Sequence, residues 1–323
     1  MRQKLKNFRD QVSPLLMVLP DCAFYQYKYL LAHARMCRFQ KPRRFSEKIF
    51  HRMRYPSPLF SRLADKVEVR SYIANTVGTQ YLVPAHLITE RVVPETFDEL
   101  PESFVMKANH SFGQLRIVHD KYDEDPVELA RLANAWMTSE FPIRMREKHY
   151  RYIRPRIIFE HALLTERRPP DDFKFTVFNP GPGQQPYIFI QHMQGRFEHL
   201  TQDLYLEDWC PAPFQLLHQK TSGRLAPRPD QLDEMLQIAR RLAEPLGYMR
   251  VDLYLHQGRV YVGELTLTPG AGRYVFEPKE WDETLGTKFG WPEPALHMDL
   301  PSSGNGTSND AAAVTARVAS TLE

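Results

Sequence analysis

A chain of 323 residues, 42% hydrophobic and 25% charged, is long enough to bury a large core and has the balance of a globular protein. Its longest plain apolar run near the start, Leu15 to Leu19, is too short to span a bilayer and lacks the features of a signal peptide. The net charge of +3 conceals an asymmetry, because residues 1–62 hold 14 Lys and Arg against 3 Asp and Glu, while the remainder holds 28 against 36.

That basic first segment suits an anionic partner, such as an acidic glycan, a lipid pyrophosphate or a membrane surface, or else it is a solvated helical face. No zinc-finger spacing and no RNP-type aromatic run points to nucleic acid. Three widely spaced cysteines, Cys22, Cys37 and Cys210, suggest neither a disulfide framework nor a zinc site, so a cytoplasmic location is expected.

Residues 1–80 read as helical, and the run from Ser57-Pro58 to a Gly78 stop has apolar positions at helical spacing. A short strand is expected in "YLVPAHLI", then two more near 103–108 and 115–119 around a polar turn with Gly113. "DEDPVELARLANAWMTSE" predicts a capped amphipathic helix, and a β-branched strand at 156–160 ends in Glu160-His161. "DDFKFTVFN" and "QPYIFIQHM" predict a strand pair across the Pro/Gly-rich loop 180–186. "PDQLDEMLQIARRLAEPLG" is the clearest helix, with Asp230 as the expected N-cap and Gly247 as its stop. The small, polar stretch 301–323 predicts a flexible tail.

The run "YMRVDLYLHQGRVYVGELTLTPGAG" sets two acids, Asp252 and Glu264, inside a predicted hairpin. In its first strand Met249, Val251, Leu253 and Leu255 share one face, and Arg250, Asp252 and Tyr254 the other. Continued alternation would put Val260, Val262, Glu264 and Thr266 together in the second strand. A two-residue turn at Gln257-Gly258 separates the acids onto opposite faces, whereas an odd loop or a bulge near Gly258 brings them together. Together they would repel, a penalty that a divalent cation removes; apart, they are ordinary solvated charges.

The sequence has no GxxxxGK[ST] P-loop, no GxGxxG after a strand and no GxSxG elbow. It does have a strand, "FVMKANHSFG", delivering Lys107 just before a glycine-containing loop, an arrangement that sets a cation and backbone amides against phosphates.

In order along the chain, "LADK", "FVMKANHSFG", "RIIFEHALL", "DDFKF", "RVDLYL" and "GELTLTPGAG" resemble the blocks of ATP-grasp ligases. More narrowly, roughly residues 40–285 resemble the teichuronopeptide-biosynthesis (TupA-like) ATP-grasp amidoligase family. The resemblance implies an α+β ATP-grasp fold: a basic helical lobe at 1–89, a lid subdomain at 90–163 and a catalytic antiparallel-sheet subdomain at 164–300. It also implies ATP and Mg²⁺ as cofactors. Lys66 and Lys107 would contact the phosphates, Lys107 also lying near the adenine and serving in catalysis, with Asn109, Ser111 and Gly113 in the loop that closes over them and Lys174 as a further nucleotide-binding residue. Glu160, His161, Ala162 and Leu163 would form the adenine hinge and Asp172 would hold the ribose. Asp252, Glu264 and Thr266 would bind the metal, and Arg250 would steady an oxyanion. Thr266 stands where many of these enzymes have Asn, and the loop is less glycine-rich than usual.

The implied reaction makes an amide from a carboxylate and an amine through an acyl phosphate, with an amino acid and an acidic sugar or glycan of a surface polysaccharide as partners. A kinase acting on a sugar hydroxyl, or a non-catalytic glycan- or membrane-binding relative, is the alternative. Arg196 and His199, shortly after a strand, are candidates for the acceptor or else surface loop residues, and Arg273 after "PGAG" is a second candidate. Peripheral contact with the inner face of the membrane, through the basic lobe, is the expected extension of the cytoplasmic assignment.

Overall fold

The alternating patterns pair into two antiparallel sheets in a computed structural model that describes residues 18–139, 146–195, 199–217 and 220–293. The smaller sheet runs β1-β4-β2-β3, from β1 (Ala85–Thr89), β2 (Phe104–Ala108), β3 (Leu115–Val118) and β4 (Ile157–His161). The remaining strands are β5 (Asp172–Phe178), β6 (Tyr187–Gln194), β7 (Thr201–Leu206), β8 (Gln215–Leu216), β9 (Tyr248–His256), β10 (Arg259–Thr266) and β11 (Phe276–Glu277). Of these, β10-β9-β5-β6-β7 form the larger sheet, and β8 pairs with β11 alone. The described helices are α1 (Asp21–His33), α2 (Phe45–Arg54), α3 (Pro58–Ala64), α4 (Val69–Thr76), α5 (Pro126–Thr138), α6 (Leu232–Ala243) and α7 (Trp281–Lys288). The class is therefore α+β, as the sequence implied. None of the described helices is long and apolar enough to cross a membrane. The expected tail at 301–323 lies outside the described residues.

The run 57–78 does not form one helix. The Asp65 carboxylate accepts the backbone N–H groups of Val67 (2.8 Å) and Glu68 (3.3 Å), a local bond that competes with helix continuation, and the helix restarts at Val69. The break turns Lys66 outward from helix geometry, and its backbone N–H donates to Asn109 O at 3.2 Å. At α6 the N-cap is Gln231, without a side-chain cap, and not Asp230.

One face of the large sheet is largely apolar, with His192 and Asp203 as polar exceptions on β6 and β7. Phe173, Phe175, Val177, Met249, Val251 and Leu253 pack against Met235, Leu236, Ala239 and Leu242 of α6, and the same core takes in Leu63 of α3 and Ile73 of α4. The opposite face is divided. Phe178, Phe189 and Tyr248 lie in an aromatic core with Phe45 and Phe50 of α2, Tyr25 of α1 and Leu285 of α7. Farther along, that face turns polar, where Thr176 pairs with Arg250 and Lys174 with Asp252 across β5 and β9. The early helices are thus spread over both faces of the sheet. Much of their positive charge is structural: Arg35 and Arg44 pair with Asp282 and Glu283 of α7, and Lys48 donates to the carbonyls of Gly286 (2.8 Å) and Phe289 (2.6 Å). The buried Arg52 donates to Leu267 O (3.0 Å) and Tyr248 O (2.9 Å) and pairs with Glu293.

The smaller sheet has its own core, in which Phe104, Met106, Ile157 and Phe159 meet Leu129, Ala130 and Ala133 of α5. Capping fixes where that helix starts, since Asp125 accepts the N–H of Val127 at 2.9 Å and Pro126 follows. The other face of β2, bearing Val105 and Lys107, looks toward the large sheet across a cavity.

The hairpin register combines two devices. The turn at Gln257-Gly258 has two residues, with Arg259 opposite His256, and regular pairing runs to Val262 opposite Leu253. The register then shifts, so that Glu264 lies opposite Asp252 and Thr266 opposite Arg250. Gly263 is the extra residue of this bulge, five positions beyond Gly258. The shift corrects the face expected from simple alternation: Val260, Val262 and Leu265 enter the core, while Glu264 and Thr266 turn to the cavity beside Asp252. A side chain at 263 would put its Cβ 2.7 Å from the Tyr254 ring, which would have to shift to admit it.

Candidate active site

The two sheets enclose a cavity of about 510 Å³. Its walls bring together Lys66, Lys107, Ser111, Gly113, Glu160, His161, Leu163, Lys174, Arg250, Asp252, Glu264, Thr266 and Arg273, drawn from widely separated parts of the sequence. On the side of the smaller sheet, Lys107 pairs with Glu160 at 2.5 Å, and Arg70 reaches the same carboxylate at 3.5 Å. On the sheet side, Lys174 reaches Asp252 at 2.5 Å and Asp172 at 3.3 Å. Lys66 joins the two walls, donating to Ser111 O and lying 3.8 Å from Glu264.

Arg250 is the centre of the charged cluster. Its Nε donates to Asp252 Oδ1 at 2.6 Å, and its Nη1 to the Tyr274 hydroxyl at 3.2 Å. Its Nη2 lies 2.8 Å from Asp252 Oδ2, 3.2 Å from Glu264 Oε1 and 2.9 Å from Thr266 Oγ1. Five oxygens, three of them from carboxylates, thus converge on one positive charge. Such a hard-oxygen donor set fits Mg²⁺ held jointly with phosphate oxygens, since Mg²⁺ takes one or two carboxylates plus substrate phosphates. Among the described residues no group of three His, Cys, Asp or Glu forms a metal cage by itself.

The charges set the protonation states. Burial pushes the Asp252 carboxyl up, but Arg250 and Lys174 outweigh it and hold the group down at about 2. Burial lowers Arg250 and Lys174, yet their carboxylate partners raise both above their ordinary values, so these cations stay charged. Lys66 goes the other way, because burial, reinforced by the charge of Lys107, outweighs the pull of Glu264 and Glu160.

Some expected site residues lie elsewhere. The buried Asn109 side chain does not line the cavity; it donates to Asp65 Oδ1 (2.8 Å) and Arg154 O (3.0 Å) and accepts from Arg156 N (2.7 Å), pinning the loop to the α3–α4 break. Asp172 is buried beside Lys174 and Ala162 is buried, both away from the cavity wall. His199 is exposed and not part of the wall, and Arg196 lies outside the described residues. Arg273 does reach the wall, where its Nε donates to Gly270 O at 3.1 Å. It follows a turn with left-handed Gly270, Ala271 and Gly272 that is pressed onto α2; a Cβ at Gly272 would meet the Phe50 ring at 2.5 Å.

Sequence reasoning missed Glu147, Tyr150, Thr268 and Tyr274, all of which line the cavity. Thr268 had a signal, since Glu264, Thr266 and Thr268 alternate, whereas Glu147 stands in a charged stretch that reads as loop.

The sequence matches the family described as TupA-like ATPgrasp over residues 47–290. No curated protein matches it. Among solved structures, the chain is similar to the D-alanine–D-alanine ligase of Bacillus anthracis complexed with ATP, at 16% identity and a TM-score of 0.38, covering 72% of this chain and 64% of that one. It is also similar to the D-alanine–D-alanine ligase of Helicobacter pylori, at 12% identity and a TM-score of 0.42, covering 70% and 61%. N5-carboxyaminoimidazole ribonucleotide synthetase of Thermus thermophilus gives 10% identity and a TM-score of 0.36, covering 66% and 48%. The chain thus spans less than two thirds of the length of each of these three.

Proposed function

The chain belongs to the TupA-like ATP-grasp family, and from that premise we propose that it joins a carboxylate to an amine at the expense of ATP, through an acyl phosphate. One observation carries the reading: Lys66, Lys107, Lys174 and Arg250 surround the paired acids Asp252 and Glu264 inside a single cavity. A carboxylate resists attack by an amine until one oxygen becomes a good leaving group, and phosphorylation supplies that group. Phosphoryl transfer in turn asks a protein for positioning and charge neutralisation.

In this scheme Lys107 and Lys66 hold the nucleotide phosphates under the loop at Ser111–Gly113, and Glu160, His161 and Leu163 lie beside the base. Glu160 keeps Lys107 oriented. Arg250 offsets charge at the acyl phosphate and at the tetrahedral oxyanion, and Lys174 keeps Asp252 ionised. Asp252, Glu264 and Thr266 would hold Mg²⁺, which when bound neutralises phosphate charge. The large sheet fixes these groups on rigid strands, so little rearrangement is needed to align them.

We take the carboxylate to be that of a uronic acid and the amine to be an amino acid, in cytoplasmic assembly of a surface polysaccharide; the family resemblance supports these classes. The basic first segment is where an acidic or lipid-linked glycan would dock at the inner membrane face. Purified protein with ATP and Mg²⁺ should release phosphate only when a uronic acid and an amino acid are both present. A stable phosphosugar in place of free phosphate would refute the ligase reading in favour of a kinase.

A further inference from the structure

One carboxylate of the cavity lies beyond the phosphate-facing groups. Glu147 precedes the 3-10 turn Lys148–Tyr152, is 3% exposed, lines the cavity and accepts a hydrogen bond from Thr268 Oγ1 at 2.6 Å. Thr268 lies two residues past the end of β10, at the head of the turn Pro269–Gly272 that leads to Arg273, and both Thr268 and Arg273 line the cavity. The segment is braced from behind by α1. The Tyr25 hydroxyl, with one proton to give, lies 2.5 Å from Arg146 O and 3.0 Å from Met53 O, while the Arg146 guanidinium pairs with Asp21 at 2.9 Å and lies 4.1 Å from the centre of the Phe24 ring. A buried carboxylate costs stability, so a rigidly held one on a cavity wall points to a ligand.

Resting on the ligase reading, we propose that Glu147 and Thr268 form the subsite of the attacking amine, where the carboxylate binds the incoming ammonium and takes one of its protons. The ammonium passes one proton to Glu147, and the freed nitrogen lone pair forms the C–N bond at the acyl carbon. The bond from that carbon to the phosphate oxygen breaks with its electron pair. A second proton leaves the nitrogen with the departing phosphate, and Glu147 returns its proton to water. Burial raises the Glu147 carboxyl to about 7, against the Thr268 hydrogen bond and the Arg273 charge, which both lower it. A base so placed is matched to neutral pH. The phenols of Tyr150 and Tyr25, which also face it, are raised by burial and stay neutral.

The test compares Glu147→Gln and Glu147→Asp with wild type, using ATP, Mg²⁺, D-glucuronate and either hydroxylamine or a mixture of amino acids. Hydroxylamine is neutral at pH 7.5 and needs no base to capture an acyl phosphate. Amide formation should fall roughly a hundredfold or more in Glu147→Gln, hydroxamate formation should fall far less, and Glu147→Asp should recover part of the amide rate. Equal loss with both nucleophiles, or no loss with either, would overturn the proposal. If wild type turns over neither, the uronate reading fails, and the carboxyl itself decides on Glu147. Its ¹³C NMR titration, assigned by difference from Glu147→Gln, should move to lower pH when methylammonium chloride replaces tetramethylammonium chloride, and an unmoved midpoint would refute the subsite.

Discussion

Replacing Glu147 with Gln should stabilise the fold at alkaline pH, which is unusual for a buried residue. The folded-state carboxyl titrates at about 7 against an ordinary 4.5, chiefly because burial disfavours its charge. Between those two values the folded state binds more protons than the unfolded state, so stability falls as pH rises through the window and stays reduced above it. At about 1.4 kcal/mol per pH unit, the ionised acid costs the wild-type fold about 3 kcal/mol at pH 8 and nothing near pH 4. Gln keeps an oxygen for the Thr268 hydroxyl and never ionises. Urea unfolding of both proteins from pH 4 to pH 8 should therefore give curves that meet at acid pH and separate toward alkaline pH, with the variant more stable. Asp252→Asn carries the opposite sign. Its carboxyl is held at about 2, below its ordinary 3.8, so it contributes stability that is present above pH 4 and disappears as pH falls toward 2. A Glu147→Gln difference that is flat with pH, or a variant less stable at pH 8, would refute the argument.

Lys107→Ala removes a cation that the smaller sheet points into the cavity, and calorimetry should show ATP binding weakened by roughly 1.5–3 kcal/mol; unchanged affinity would exclude Lys107 from the phosphate site. Gly263→Ala sets a Cβ 2.7 Å from the Tyr254 ring, and should cost roughly 1–3 kcal/mol in thermal or urea unfolding while also weakening ATP binding, because Tyr254 lines the cavity. Arg52→Met leaves Glu293 and two backbone carbonyls without their donor, so unfolding should show a loss of roughly 3–5 kcal/mol; a neutral result would mean that the buried guanidinium is not what ties α2 to the sheet.

Much of the fold was legible because its signals are local. The strands from 103 to 193 and the helix at 232–243 follow from alternation, periodicity and caps within a few residues of each element. Asp252 and Glu264 were conspicuous because acids interrupt apolar strands, and Lys107 because it precedes a glycine-containing turn. Their meeting was an expectation that needed an odd loop or a bulge near Gly258; the turn has two residues instead, and the shift sits at Gly263, whose Cβ would meet the ring of Tyr254 on the neighbouring strand. The break at Asp65 was hidden because apolar spacing runs straight through it, while the Asp65 side chain bonds local N–H groups and Asn109, 44 residues away. Asn109 looked like a phosphate-loop residue and is instead that pin. Glu147 gave no signal at all, because its burial comes from α1 and from the end of β10.

The central claim is that a carboxylate is phosphorylated before an amine attacks it. The most direct measurement uses D-glucuronate labelled with ¹⁸O in its carboxylate, together with ATP, Mg²⁺ and amino acids, and follows the released phosphate by mass spectrometry. Acyl phosphate chemistry leaves one labelled oxygen in each phosphate released and yields an amide that retains the other. Unlabelled phosphate, or label kept entirely in a phosphorylated sugar, would contradict it.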